Sequence, residues 1–302
     1  MTRDEEKLNE ILCLLPSRVA SEIRHYAAPH AHFGARLSEI RLRADKLCSL
    51  TLGGENRTLG ISVTASELTE TVRRLCHGSL YAYAESLKEG YLTTESGMRV
   101  GVAGRAVREG GRLTGLSDVT SLSIRISRAV AGAGDFAVSA WREHRGSGML
   151  IFAPPGVGKT TLLRDFTSQI ACGGDAVRVA VVDCRGELSA ELFPHEALVD
   201  VLTGFEKAEG IEIAVRSLSP EVLVCDEIGS EREAAAILSL LHTGVPLVAT
   251  AHAATVGDLY ARAPIARLLH GGVFSTLIGI ERAPTGYRYT KTAVRKEDVL
   301  CS

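Results

Sequence analysis

The spacing of hydrophobic residues changes within the first fifty positions. Apolar residues recur at helical spacing over 5–15 and 17–27, which predicts two helices. From residue 37 onward the apolar positions alternate with polar ones, which predicts strands over 37–43 and 46–52. The chain is therefore predicted to begin with two helices followed by two strands.

Helix and hairpin patterns come next. Thr64 and Glu67 have the spacing of a capping box, which predicts the start of a third helix. A short helix is predicted over 80–87, and the alternation over 91–107, interrupted by a Glu-Ser-Gly turn, predicts a hairpin. Residues 120–126 alternate as a last strand, so this half of the chain is predicted to be α+β.

Apolar strands alternate with helical stretches in the second half of the chain. Short strands are predicted over 150–153, 177–182 (apolar apart from Arg178), 222–225 and 245–250, with helices after them, and a closing hairpin is predicted over 274–291. Uninterrupted apolar strands are typical of a parallel sheet with helices on both faces. The second half is therefore predicted to be an α/β domain.

The pattern predicts two domains and a linker. Residues 1–130 form the predicted α+β N-terminal domain, 131–147 a glycine-rich hinge with a connecting helix, and 148–302 the α/β domain. A chain of 302 residues is long enough for two hydrophobic cores. Within the last domain, a helix over 254–269 is predicted to break at Pro264.

Composition narrows the class of protein without identifying a partner. Hydrophobic residues make up 45% and charged residues 23% of the chain, which is typical of a globular protein. The net charge of −2 gives no overall basic field, so no direct nucleic-acid partner is expected. Seven scattered cysteines without a C-x-x-C pair, and no signal-peptide or membrane-span pattern, indicate reduced thiols in a cytoplasmic protein.

The candidate chemistry begins where the first apolar strand of the second half ends. The sequence APPGVGKTT matches the phosphate-loop pattern G-x-x-x-x-G-K-[ST], except that Ala153 replaces its first glycine. Gly156 and Gly158 can take backbone angles that turn successive N–H groups toward one anion. The N-terminus of the next helix adds its dipole and its free N–H groups.

The side chains of this loop predict ATP and Mg²⁺ as ligands. Lys159 can reach the β- and γ-phosphates, and the Thr160 hydroxyl suits Mg²⁺, which prefers oxygen ligands. The predicted nucleotide-binding residues are Pro155, Gly156, Val157, Gly158, Lys159, Thr160 and Thr161.

Acidic residues follow two other apolar strands. Asp226 and Glu227 after the strand over 222–225 form a Walker B pattern, in which Asp226 holds Mg²⁺ through its waters and Glu227 activates the attacking water. Asp183 and Glu187 follow the strand over 177–182, at the edge where α/β sheets bind ligands. The alternative role for either of these two residues is to cap a helix.

Two further residues are candidates for sensing the γ-phosphate. His252 follows the strand over 245–250, beside the Walker B strand, and its alternative is an ordinary structural histidine. Arg125 ends the last strand before the hinge and is the first choice among the arginines of the N-terminal domain to reach a phosphate of the same or a neighbouring subunit. The alternative for these arginines is a solvated strand face.

The chain resembles the stage III sporulation protein AA family, which is related to the type II and type IV secretion ATPases. The resemblance covers nearly the whole chain. Its N-terminal motifs are SEIRLR from Ser38, GYLT from Gly90, GMRVGVAGR from Gly97 and SLSIRI from Ser121. Its C-terminal motifs are the phosphate loop, KAEG from Lys207, RSLSPEV from Arg216 with the Walker B pattern after it, and ATAHA from Ala249.

The resemblance implies a RecA-like ATPase core that forms a hexameric ring. It implies docking at the cytoplasmic face of a membrane complex, where membrane-embedded sporulation channel proteins would be partners. It also implies that Asp183 and Glu187 correspond to the acidic box of the secretion ATPases and His252 to their histidine box. The secretion relatives carry Gly-Glu where this chain has Asp226-Glu227, so the general base is either Glu227 or Glu187.

Two other functions remain open from the sequence. One is a nucleotide-gated scaffold that binds ATP and hardly hydrolyses it. The other is a nucleic-acid-dependent P-loop ATPase, although the net charge of −2 does not favour it.

Overall fold

The structure, a computed structural model, divides into two compact units, residues 1–128 and 129–302. It describes residues 3–30, 33–79, 83–94, 98–126, 129–184, 186–188, 193–240, 243–283 and 286–294. The first residues of the helix predicted over 80–87, the predicted turn at 95–97 and part of the predicted turn at 283–286 lie outside the described residues.

The N-terminal unit is built on an antiparallel sheet of six strands in the order β3-β2-β1-β6-β5-β4. Its helices are α1 (Arg3–Leu14), α2 (Ser17–Ala27), α3 (Phe33–Arg36), α4 (Ala65–Leu75) and α5 (Ala84–Lys88). Its strands are β1 (Leu37–Arg43), β2 (Lys46–Leu52), β3 (Glu55–Ser62), β4 (Tyr91–Thr93), β5 (Arg99–Glu109) and β6 (Arg112–Arg125). This unit has its own hydrophobic core, formed by helices α1, α2 and α4 against the sheet.

Local sequence signals correctly predicted most of these elements, but they did not predict the strands whose side chains are poorly buried. The capping box forms, because the Thr64 hydroxyl accepts the N–H of Glu67 and the Glu67 carboxylate accepts the N–H of Thr64. β3 was not predicted, since it is an edge strand in which only Leu59 is buried. β6 begins at Arg112 rather than at 120, because no residue in its first half is buried and its apolar residues do not alternate with polar ones.

The C-terminal unit contains a seven-stranded sheet in the order β13-β12-β7-β11-β10-β8-β9, parallel except for the β12–β13 pair. Its helices are α6 (Asp135–Glu143), α7 (Lys159–Ile170), α8 (Lys207–Leu218), α9 (Glu231–Ser239), α10 (Val256–Tyr260) and α11 (Ala263–His270). Its strands are β7 (Met149–Ala153), β8 (Val179–Asp183), β9 (Val199–Thr203), β10 (Val222–Cys225), β11 (Leu247–His252), β12 (Thr276–Ala283) and β13 (Gly286–Ala293). Separate hydrophobic clusters pack on the two faces of the sheet, as predicted for buried parallel strands.

Two details of the second unit differ from the sequence prediction. The helix predicted over 254–269 is two helices, and the break falls at 261–262 rather than at Pro264. Pro264 instead lies in the first turn of α11, where its missing N–H costs no helical hydrogen bond. The second difference is β9, an edge strand that was not predicted because its side chains are only partly buried.

Candidate functional site

Four strands bring the candidate residues to one edge of the sheet. β7, β11, β10 and β8 are consecutive neighbours and run parallel. The phosphate loop, His252, Asp226 and Asp183 stand at or just after the carboxyl ends of these strands. Ligands of α/β proteins bind at this edge.

The phosphate loop has the predicted backbone. Gly156 and Gly158 have φ angles of 73° and 99°, in the left-handed region that a Cβ disfavours. α7 begins at Lys159, so its first N–H groups face the loop. Ala153 is a regular β7 residue paired with His252, which explains why an alanine is tolerated at the position of the first glycine.

Lys159 is almost completely buried at this edge of the sheet. Its side-chain ammonium donates to the carbonyl oxygens of Ala153 at 3.0 Å and Pro154 at 3.2 Å, and lies 2.7 Å from His252 Nδ1. Burial lowers the pKa of the Lys159 ammonium, although the carboxylates of Asp226 and Glu227 oppose that shift. The ammonium is therefore poorly hydrated and placed to gain from an anionic ligand.

The two predicted magnesium ligands contact each other. The Thr160 hydroxyl donates to Asp226 Oδ2 at 3.0 Å, and the Thr250 hydroxyl donates to Asp226 Oδ1 at 2.5 Å. A hydroxyl and a carboxylate beside a phosphate loop fit Mg²⁺, which takes few protein ligands and keeps waters and phosphate oxygens. Among the described residues, no group of three or more His, Cys, Asp or Glu side chains could hold a metal ion. A Mg²⁺ site with one carboxylate and one hydroxyl does not require such a group.

Glu227 adopts a backbone conformation that is unusual for its residue type. Its φ is 45°, which costs on the order of 1–3 kcal/mol for a residue with a Cβ. Its N–H donates to the Thr250 hydroxyl at 2.7 Å, and its carbonyl oxygen accepts from the Lys207 ammonium. Thr250 therefore binds the Asp226 carboxylate and the Glu227 peptide with one hydroxyl.

His252 connects the phosphate loop to Glu227. An ammonium is a hydrogen-bond donor and has no acceptor. In its contact with Lys159, His252 Nδ1 is therefore the acceptor, and the ring proton is on Nε2. Nε2 lies 3.1 Å from Glu227 Oε1, within hydrogen-bond range. The carbonyl oxygen of His252 accepts from Arg262 at 2.8 Å, which fixes the end of β11.

Asp183 organises the loop that carries Glu187. The Asp183 carboxylate accepts the N–H of Glu187 at 2.8 Å and the N–H of Leu188 at 2.9 Å. On the other side, the guanidinium of Arg164 in α7 donates to the carbonyl oxygens of Glu187 at 2.6 Å and Leu188 at 2.5 Å. Asp183 is 2% exposed, and its carboxylate accepts these two N–H groups rather than facing solvent.

The pKa of Asp183 predicts a pH-dependent stability. Burial raises the pKa of this carboxyl to about 6, against 3.8 for an ordinary aspartate. Between pH 3.8 and about 6, the folded protein keeps a proton on Asp183 that the unfolded chain has lost. The stabilisation of the folded state by this proton is complete below pH 3.8 and is lost as the pH rises through about 6. Replacing Asp183 by Asn removes this titration, and we expect the stability of the variant relative to wild type to rise by on the order of 3 kcal/mol between pH 4 and 7.

Chemical unfolding of both proteins at the two pH values measures the effect. Asp175, whose side chain is 89% exposed, supplies the control Asp175→Asn, for which the difference should stay constant. A constant difference for Asp183→Asn would contradict the raised pKa.

A small cavity brings both candidate bases together. It has a volume of about 30 Å³ and is lined by Val182, Asp183, Cys184, Glu187, Lys207, Asp226 and Glu227. This volume is that of about one water molecule, and the lining supplies several polar partners. Glu187 and Glu227 therefore line the same cavity, and the choice between them as the general base stays open.

The remaining sequence candidate lies in the N-terminal unit. Arg125 is the last residue of β6, exposed, and paired through its backbone with Glu39 of β1. Its role at a phosphate stays a prediction. The site also contains residues that the sequence did not identify as functional: Arg164, Lys207, Thr250 and Arg262. Thr250 gave the clearest signal, as a polar residue in an otherwise apolar strand.

The buried parallel sheet with a phosphate loop at its carboxyl edge defines the second unit as a RecA-like P-loop NTPase core, the predicted fold class. The chain belongs to the family described as "Sporulation stage III, protein AA", which matches residues 5–289. It is 34% identical to stage III sporulation protein AA of Bacillus subtilis over 284 residues, or 91% of this chain and 92% of that protein.

Other similar proteins cover less of the sequence or share the fold alone. Protein SEEDLING PLASTID DEVELOPMENT 1 of Arabidopsis thaliana is 33% identical over 178 residues, 55% of this chain and 24% of that protein. The ATPase DotB of Legionella pneumophila has a TM-score of 0.62 at 17% identity, covering 86% of this chain and 78% of its own. The pilus retraction motor PilT with bound ADP has a TM-score of 0.65 at 14% identity, covering 92% and 86%.

Among the described residues, no helix is both long enough and apolar enough to span a membrane.

Proposed function

We propose that this protein hydrolyses ATP with Mg²⁺ and, during endospore formation, energises or assembles a membrane-spanning channel. The observation that carries the proposal is the connected set of Lys159, Thr160, Asp226 and Glu227 at one sheet edge. Direct hydrogen bonds join Thr160 to Asp226, and Thr250 and His252 join Glu227 to the others. A merely structural turn would not need an ammonium, a hydroxyl and two carboxylates together.

The residues have separate roles in the proposed reaction. The N–H groups of the phosphate loop and the Lys159 ammonium bind the β- and γ-phosphates. Thr160 and Asp226 would hold Mg²⁺, which when bound neutralises charge on the phosphate oxygens. Glu227 orients a water and takes its proton, and the small cavity beside Glu227 has the volume for that water.

His252 gives the site a way to sense the γ-phosphate. The three donors of the Lys159 ammonium contact Ala153 O, Pro154 O and His252 Nδ1, so binding a phosphate requires the ammonium to move away from at least one of them. Because the other ring nitrogen contacts Glu227, a movement of Lys159 changes the surroundings of the proposed base. Phosphate binding would in this way be coupled to the positioning of the attacking water.

Family membership and fold support the cellular part of the proposal. The family is named for sporulation stage III, and the structural neighbours include a protein titled ATPase and one titled pilus retraction motor. We propose that the chain works as a hexameric ring at the cytoplasmic face of a membrane complex. Membrane-embedded sporulation channel proteins would be its partners.

The proposal is tested by measuring ATP turnover per subunit while the protein concentration rises. We expect turnover to require Mg²⁺ and to increase with concentration as subunits assemble and share sites. Flat, minimal turnover combined with a raised melting temperature in ATP would favour a nucleotide-gated scaffold, since saturation at about 100 times Kd adds about 2.7 kcal/mol to the folded state. If ATP caused neither turnover nor thermal stabilisation, the proposal of nucleotide binding would itself be contradicted. Stimulation by DNA or RNA would instead favour a nucleic-acid-dependent ATPase.

A further inference from the structure

We propose that Lys207 is a positioning residue that holds Glu227 in the backbone conformation required for ATP hydrolysis. This inference rests on the proposed function. Lys207 is the first residue of α8, and its ammonium donates to the carbonyl oxygen of Glu227. Its side chain is 13% exposed, so the contact is largely shielded from water.

Side chains hold both backbone polar groups of Glu227. β10 ends at Cys225, and beyond it the N–H of Ile228 donates to the carbonyl oxygen of Thr250 at 2.8 Å. Thr250 accepts its N–H, and Lys207 donates to its carbonyl oxygen. With a φ of 45°, Glu227 is in a conformation of higher energy than the common backbone geometries, and both contacts stabilise it.

Glu233 extends the same support to the following residues. Lys207 Nζ lies 3.3 Å from Glu233 Oε1. The other carboxylate oxygen of Glu233 accepts the N–H groups of Gly229 and Ser230, both at 2.8 Å. The ion pair therefore holds the segment from Glu227 to Ser230 at a carbonyl oxygen and at two N–H groups, and it joins the start of α8 to the start of α9.

A lysine suits this position, between the Glu227 carbonyl and the Glu233 carboxylate, because its ammonium is small and has several donors. The ammonium is compact and has three donors, so it can serve the Glu227 carbonyl and the Glu233 carboxylate together. It also lines the cavity shared by Glu187, Asp226 and Glu227, where it is the basic side chain among the described lining residues. Charge-assisted hydrogen bonds of this kind are shorter and stronger than neutral ones.

The test compares Lys207→Met with wild type in ATP turnover and in nucleotide affinity. We expect kcat to fall by about 10- to 100-fold, because small displacements of a reacting group have effects of this size, while Kd for ATP changes less than about two-fold. The matched control is Lys291→Met, which removes a lysine of the same unit that pairs with Glu143 at 2.5 Å on the surface. Its kcat should equal that of wild type.

A double-mutant cycle separates positioning from a general structural role. If Lys207 acts through Glu227, Lys207→Met added to Glu227→Gln should lower the residual turnover by less than about two-fold. An equal fall in both backgrounds, an unchanged kcat in Lys207→Met, or parallel losses of kcat and ATP affinity would overturn the inference. If Lys207→Met does not fold, Lys207→Gln gives the same test, because it stays polar but is too short to reach the Glu227 carbonyl. Absence of turnover in wild type would instead contradict the proposed function, so the two failures are distinguishable.

Discussion

Glu227→Gln is expected to lower the rate of ATP hydrolysis by about 10² to 10⁴-fold, the range for removal of a general base. The amide keeps the volume of the side chain and can still accept from His252 Nε2, but it cannot take a proton from water. Binding of ATP should therefore persist with a Kd within about three-fold of wild type. Single-turnover hydrolysis and titration with a fluorescent ATP analogue measure the two quantities separately.

Glu187→Gln is the informative comparison for this prediction, because Glu187 lines the same cavity. Its carboxylate is carried by a loop that Asp183 and Arg164 hold through backbone groups, so the substitution leaves that loop anchored. We expect a loss of less than about ten-fold. The opposite ranking would assign the base to Glu187. An exposed acid on α8, Glu212, provides the neutral control Glu212→Gln.

Lys159→Met is expected to raise Kd for ATP by about 10- to 100-fold. The estimate corresponds to the loss of a hydrogen bond between two charged groups, worth about 1.5–3 kcal/mol. Turnover should fall as well, because the same ammonium stabilises charge that develops on the transferred phosphate. Calorimetric titration with ATP and Mg²⁺ measures the affinity.

Without ATP, the Lys159→Met protein should be at least as stable as wild type. This stability measurement separates a role of Lys159 in ATP binding from a role in folding. Burial lowers the pKa of Lys159, which means that the charged form is held at a cost that methionine does not carry. A lower melting temperature together with unchanged ATP affinity would show that Lys159 is a structural residue. Lys291→Met, which alters a surface ion pair, should change neither quantity.

The sequence determined the elements whose signals are local. The phosphate loop, the capping box at Thr64 and the apolar strands β7 and β10 depend on neighbours a few residues away, so spacing and residue type suffice to predict them. Edge strands such as β3 and β9, whose side chains are exposed or only partly buried, carry a weaker pattern, because much of their stability comes from pairing with a neighbouring strand.

The tertiary structure decided which of the predicted residues act on each other. The order β7-β11-β10-β8 places Thr160 against Asp226 and Lys159 against His252, contacts between residues far apart in the chain. The same order places Asp183 as a buried carboxylate that holds the N–H groups of Glu187 and Leu188. Polar side chains at the ends of parallel strands can face solvent, a ligand or each other. Only the packing of the strands, by removing water from some of these positions, fixes which contact forms.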